Sequence, residues 1–309
     1  MSPLFMITLI FSVLNGLCCN PSQVSSNIIV EEEDYKEDNT NLDNSLKEDE
    51  TDVSALIEKE NKNLDNNLKE DETDVSTLIE KANKNLGQEL NVPTVMYGDI
   101  AVPSGFENAD PCTARGCKWV KSSDGNVYVP YIISNQYSSR ERAIIERGLQ
   151  SFTSSTCIRF RRRTRERDFV HIQSRGGCYS FVGRRGGGQV VSLDRRGCVY
   201  HQVVQHELLH ALGFNHEQTR SDRDRHVRIL YQNIIRGQEH NFNRINTNNL
   251  GTPYDYNSVM HYGRYAFSRN RQPTIVPIPN SNVPIGRATQ MSRFDILRIN
   301  RLYQCKRCS

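Results

Sequence analysis

The run HELLHALGFNHEQTR, residues 206–220, constrains this chain more than any other feature. An α-helix turns once in about 3.6 residues, so His206 and His210 project from one face and can bind the same metal ion, while Glu207 points elsewhere. Gly213 marks a stop. Glycine enters left-handed conformations without a Cβ penalty, and a helix ending there can return a third histidine, His216, towards the first two. Zinc usually takes four ligands, so three from protein leave one position for water, whose pKa falls to about 7 on binding. Glu207 stands where it can take a proton from that water and deliver it to a leaving amine, the general acid/base work of peptide hydrolysis.

HExxH alone is a moderate signal, because a charged helix surface can produce it. The longer HExxHxxGxxH, with a methionine-containing turn downstream at Ser258-Val259-Met260-His261-Tyr262, is the metzincin signature. On HELLHALGFNHEQTRSDRDRHV (206–227) and SVMHY (258–262), the chain resembles the astacin family, a metzincin branch marked by Glu217 directly after the third histidine and by Tyr262 in the Met-turn. The resemblance implies an α+β, two-lobed catalytic domain with one zinc ion per chain at the cleft floor. It implies that Met260 forms an apolar floor beneath the metal without binding it. Tyr262 would be an additional, displaceable zinc ligand that swings away to stabilise the oxyanion. Glu217 would be structural, contacting the start of the mature chain or its surroundings. Within the family the similarity is greatest to six-cysteine astacins of fish, which include hatching enzymes and nephrosin.

Charge divides the chain. Residues 31–107 hold 22 acidic and 7 basic side chains, a net of −15, whereas 108–309 hold 14 acidic and 32 basic, a net of +18. Ahead of both, residues 1–19 read as a secretory signal with an apolar core from Leu4 to Leu14, and no other segment is long and apolar enough to anchor in a membrane. Between them, 41–62 and 63–84 are copies of one 22-residue unit that differ at three positions. Two copies are too few for a solenoid. Their acidic, aromatic-poor composition reads as a largely disordered spacer with short helical stretches at Val53–Lys59 and Val75–Lys81.

The end of the acidic segment, Met96-Tyr97-Gly98-Asp99-Ile100, resembles the FxGD motif of astacin pro-segments, in which the aspartate binds zinc and blocks the catalytic water. Asp99 is therefore the expected zymogen latch, with Gly98 letting the backbone approach the metal. Similarity to the fish enzymes puts the start of the mature chain at Asn108, so residues 20–107 form the pro-segment and 108–309 the peptidase domain. No Lys or Arg lies between Lys84 and Arg115, so a trypsin-like protease cannot cut at that boundary.

A secreted chain favours disulfides. Seven of the nine cysteines fall beyond residue 107, and spacing leaves their connectivity open. The resemblance implies Cys157 with Cys305, Cys178 with Cys198, and Cys112 with Cys117, leaving Cys308 over.

Alternation predicts a strand at Val127–Ile133, and 3.6-residue periodicity predicts a helix from Ser138 to Phe152. Further strands are expected at Cys157–Phe160, Phe169–Gln173 and Gln189–Leu193, the metal helix at Val199–Leu212, and a helix at Arg293–Tyr303 capped by Ser292 with Asp295. Gln189–Leu193 is expected to be the edge strand on which an extended peptide lies.

The run RRRTRER (161–167) reads as a solvated loop, with no specific nucleic-acid partner expected. The remaining histidines, 171, 201, 226, 240 and 261, lack a second ligand at useful spacing and read as structural. Together these features describe a secreted, monomeric zinc endopeptidase made as a zymogen, with extracellular proteins such as egg envelope or matrix as substrates and its own acidic pro-segment as partner. A catalytically silent zinc- or matrix-binding module is the alternative, against which Glu207 argues. A matrix-metalloproteinase-like enzyme is a further alternative, against which Glu217, Tyr262 and the lack of a cysteine switch argue.

Overall fold

The computed structural model describes residues 75–86, 92–102 and 116–306. The expected signal peptide, the first repeat copy, the Glu107–Asn108 boundary, Cys112 and Cys308 lie outside them. Among the described residues no helix is long and apolar enough to cross a membrane.

The fold is α+β. In chain order come α1 (Val75–Asn83), β1 (Thr94–Met96), β2 (Ile100–Val102), β3 (Val127–Ile133), α2 (Ser139–Gln150), β4 (Ile158–Arg162), β5 (Phe169–Gln173), β6 (Cys178–Phe181), β7 (Gly188–Leu193) and α3 (His201–Ala211). After them lie short 3-10 turns, β8 (Val227–Ile229), β9 (Ile275–Pro277) and α4 (Arg293–Leu302). Strands β1 to β7 form one sheet in the order β1-β2-β6-β7-β5-β3-β4. Strands β7, β5, β3 and β4 run parallel, and β6 runs antiparallel to β7.

This order corrects the expected edge. Strand β7 is interior, with five residue pairs to β5 and three to β6, so the last strand of the catalytic part is β6. Its outer side carries β2, in parallel register with Ile100 opposite Ser180.

The helices form where their ends are signalled. Ser138 and Ser292 each accept from an N3 amide while the N3 carboxylate, Glu141 or Asp295, returns to the cap amide, closing a capping box at α2 and α4. Helix α2 turns Ile145 and Leu149 inward, and Phe152 just beyond its end is buried with them. Helix α3 is different: Gln202 to Ala211 are all buried, so it is enclosed on every side rather than amphipathic.

Two hydrophobic clusters result. One joins the sheet to α2, α3 and α4 and contains Met260; the other gathers the irregular C-terminal half around Phe242, Ile275 and Tyr262. The Met-turn therefore connects the two, and the candidate site lies where they meet.

Helix α1 falls on the helical stretch expected at Val75–Lys81 and is docked rather than free. Val75, Leu78 and Ile79 are buried in the first cluster, and the helix runs two residues past the expected stretch.

Candidate active site

Helix α3 presents His206 and His210 one turn apart, with their Nε2 atoms 3.1 Å from each other. The helix stops at Gly213, whose φ of +107° lies in the region only glycine enters cheaply. The chain then brings His216 back until its Nε2 is 3.3 Å from that of His206. Indole Nε1 of Trp119 donates to Ala211 O and the Tyr303 hydroxyl to Leu212 O, so the carbonyls at the helix end are satisfied.

The hydrogen bonds behind the rings decide what the ring fronts offer. His206 Nδ1 lies 2.8 Å from Val259 O, and His210 Nδ1 lies 2.7 Å from Phe214 O. A carbonyl can only accept, so each Nδ1 carries the proton and each Nε2 of a neutral ring turns a lone pair inward. Burial lowers the pKa of His216 to about 4 and holds that of His210 below its ordinary value.

Asp99, in the turn between β1 and β2, completes the cluster. Its Oδ2 is 3.0 Å from His206 Nε2, and its Oδ1 is 3.0 Å from His216 Nε2 and 3.4 Å from His210 Nε2. Burial opposes charge on Asp99, and positive charge at His216, His210 and His206 would outweigh it and hold the carboxyl well below its usual range. Carboxylate oxygens thus face imidazole lone pairs, which is stable only with a cation or protons between them. Four ligand atoms within 4.8 Å of one another suit a metal ion. Ligands about 2.0 Å from a tetrahedral centre would stand roughly 3.3 Å apart, which matches these separations and suits zinc or another divalent ion of similar radius.

Gly98 is required by close approach. With φ of +87°, its backbone lies where an added Cβ would collide with the Tyr262 hydroxyl. That hydroxyl donates to the carbonyl of Tyr97, and burial followed by the Asp99 charge raises the Tyr262 pKa well above its ordinary value. The Tyr262 ring sits 4.6 Å from that of His216.

Glu207 is fully buried, and neither of its carboxylate oxygens has a hydrogen-bond partner among the described residues. Burial, reinforced by the Asp99 charge, raises its pKa well above the ordinary value. Met260 is buried in the first hydrophobic cluster, and its carbonyl accepts from the amide of Glu217.

The model of the Astacin peptidase family matches residues 117–304. This chain belongs to the astacin family. It is a metalloendopeptidase, in a family that is zinc-dependent. Among its relatives, high choriolytic enzyme 1 of Oryzias latipes is 54% identical over 213 residues, covering 69% of this chain and 78% of that protein. The astacin-like metalloendopeptidase of Gallus gallus is 44% identical over 226 residues, covering 72% of this chain and 54% of that protein. The solved structure of high choriolytic enzyme 1, described as a hatching enzyme zinc-protease from medaka, matches with a TM-score of 0.62 and 56% identity, covering 64% of this chain and all of that one.

In this astacin domain Glu217 faces two arginines, and the expected start of the mature chain lies outside the described residues. Arg298 reaches it through Nη1 to Oε2 at 2.7 Å and Nη2 to Oε1 at 2.8 Å, and Arg220 Nη1 adds 3.1 Å. Burial still outweighs Arg298 and Arg220 and lifts the Glu217 pKa to about 7. Cys157 is joined to Cys305, and Cys178 to Cys198. Cys117 is also disulfide-bonded; Cys112, expected as its partner, is not described.

Sequence reasoning missed three supports of the site. Asp295, read only as a cap residue, also accepts from Ser258 Oγ and Val259 N and so pins the Met-turn. Arg298, one turn on, holds Glu217, and Gln218 Oε1 accepts from the amide of Tyr262. Asp295 and Arg298 share a face at i,i+3 inside an otherwise apolar helix side, which was the available signal. The basic run is paired locally: Arg161 reaches Glu166 at 3.0 Å, Arg162 reaches Glu146 at 2.6 Å, and Arg163 stacks on Phe169 at 4.0 Å. Among the other histidines, His261 lies 2.8 Å from the Tyr254 hydroxyl, and His226 stacks on the Tyr254 ring at 4.7 Å.

Proposed function

We propose that the chain is a secreted zinc endopeptidase made as a zymogen, with residues 1–19 a signal peptide, 20–107 a pro-segment and 108–309 the peptidase domain. The observation that carries this reading is Asp99 seated among the Nε2 atoms of His206, His210 and His216. These histidines would hold the metal. Asp99 fills the remaining approach to it, excluding water and substrate until the pro-segment is cut away.

Zinc, when bound, supplies a Lewis acid that lowers the pKa of water and polarises the scissile carbonyl. Glu207 does the proton work. With no partner and a raised proton affinity, its carboxyl takes a proton from the attacking water and passes it to the leaving amine. Tyr262 is held by the Tyr97 carbonyl in the latent chain; release of that turn frees its hydroxyl to donate to the oxyanion. Departure of β2 exposes β6, where an extended peptide gains main-chain hydrogen bonds.

The substrates are extracellular proteins, with an egg envelope or matrix favoured by relatives named choriolytic and hatching enzymes. The net charge of +18 on residues 108–309 favours acidic substrates and the acidic pro-segment, in a salt-dependent way. The active species is a monomer.

Glu207→Gln in the processed enzyme tests the assignment. It should keep one zinc per chain while kcat on a protein substrate falls about 10³-fold; near-parent turnover would exclude Glu207 as the acid/base.

A further inference from the structure

The repeat gives this chain two versions of the segment that covers its own site, and the second is the one docked among the described residues. Helix α1 and the residues after it touch the rest of the chain through Ala82, which packs on the main cluster, and through seven further side chains. Val75, Leu78 and Ile79 enter the main hydrophobic cluster, and Leu86 packs with Ala101 and Tyr179. Ser76 Oγ accepts from Gly263 N at 2.9 Å, and Glu80 Oε1 accepts from Phe267 N at 3.1 Å. Asn83 donates to Gly98 O at 2.8 Å and Cys178 O at 2.7 Å, and accepts from Cys178 N at 2.7 Å.

One period upstream, all seven residues recur as Val53, Ser54, Leu56, Ile57, Glu58, Asn61 and Leu64. Over this stretch the copies differ at two places only. Thr77, replaced by Ala55, is exposed on the helix. Ala82, replaced by Glu60, lies beside Gly197, at a half-buried position where the longer side chain must lean outward. The loop beneath it carries Arg195 and Arg196, which are paired with Glu141 and Asp194.

We infer that residues 53–64 are a second ligand for the groove occupied by residues 75–86, docking in the same chain with the same seven contacts whenever the second copy is displaced. Chain length permits it. Leu86 precedes Asp99 by 13 residues and Leu64 precedes it by 35, so the longer loop still reaches the latch. Lengthening the loop disfavours the upstream copy by about fourfold through closure entropy, which is why the downstream copy wins when both are intact. The duplication thus makes the cover tolerant: local damage or a nick that disables one docking helix leaves a spare upstream. A cut between the copy and Asp99 defeats either.

The inference rests on reading residues 20–107 as a pro-segment, but its test does not use peptidase activity, so the two can fail separately. In the full-length chain, amide hydrogen exchange at Gly263, Phe267 and Cys178 reports the bonds to Ser76, Glu80 and Asn83. Leu78→Asp with Ile79→Asp should lower protection by no more than about tenfold, because the upstream copy takes over. Adding Leu56→Asp and Ile57→Asp should remove it, a further loss of about 100-fold or more. Deleting residues 63–84, which moves the first copy into the register of the second, should leave protection within about threefold of the parent. Equal protection in the double and quadruple variants, or loss of protection in the deletion, would overturn the inference. So would protection in the double variant that rises with protein concentration, since that would assign the groove to a second chain.

Discussion

The three histidines and the aspartate that faces them are held in different ways. The body that carries His206, His210 and His216 is braced from behind. Helix α3 is buried along its length, its last carbonyls are taken by Trp119 and Tyr303, and two imidazoles are locked by Val259 and Phe214 carbonyls. Asp295 pins the Met-turn, and Cys157–Cys305 ties residues 148 apart in sequence. Asp99 instead comes from a hairpin of three-residue strands, attached to β6 by two residue pairs and to the body by a nine-residue helix. A helix that short is marginal in water alone and depends on its groove. The metal site is therefore organised independently of its cover. The hydrogen bonds described behind the histidines come from Val259, Phe214, Trp119 and Tyr303, none of which lies in the hairpin or in helix α1.

The largest effect expected on this contrast is at Glu217. Arg298→Met should leave a buried carboxylate with Arg220 and the Asp255 amide as its partners and destabilise the full-length chain by about 3–5 kcal/mol, read as a fall in Tm. An unchanged Tm would show that the body does not rely on this pair. Tyr262 connects the two regions, so Tyr262→Phe should lower kcat of the processed enzyme about 10²-fold while zinc content stays at one per chain. Equal turnover would remove the hydroxyl from the chemistry and leave only its bond to Tyr97. The smallest effect concerns a surface ion pair of the body. Partial burial works against charge on Glu141, but Arg195 and the Ser138 cap outweigh it and hold its pKa below the ordinary value. A carboxylate with a lowered folded pKa adds stability above its unfolded pKa and loses it as pH falls through the folded one. Glu141→Gln should therefore cost about 1 kcal/mol at pH 7, with the Tm difference closing as pH falls through the lowered folded pKa. A difference that persisted in acid would assign the cost to packing.

Much of the body was legible because its signals are local. The i,i+4 histidines, the glycine stop and the Met-turn named the cluster, and Ser138 and Ser292 marked helix starts to within a residue. What was not legible is tertiary. Strand β6 is four residues, Cys178–Phe181, following two glycines, too short for alternation to show, and missing it put the sheet edge one strand inward. The Arg298 to Glu217 pair spans 81 residues and no local pattern announces it. Composition marks the helical stretch at Val75–Lys81 but not its docking, because the groove that orders it lies elsewhere in the sequence.

If Asp99 keeps an otherwise complete zinc site switched off, the peptidase activity of the uncleaved, full-length chain with one zinc bound must depend on that one carboxylate. Comparing the parent with Asp99→Ala measures this dependence. The parent should be latent and the variant about 10–100-fold more active with Tm nearly unchanged, since a displaceable carboxylate ligand is lost while the body keeps its own bonds. An uncleaved Asp99→Ala chain as inactive as the parent would show that latency does not reside in Asp99.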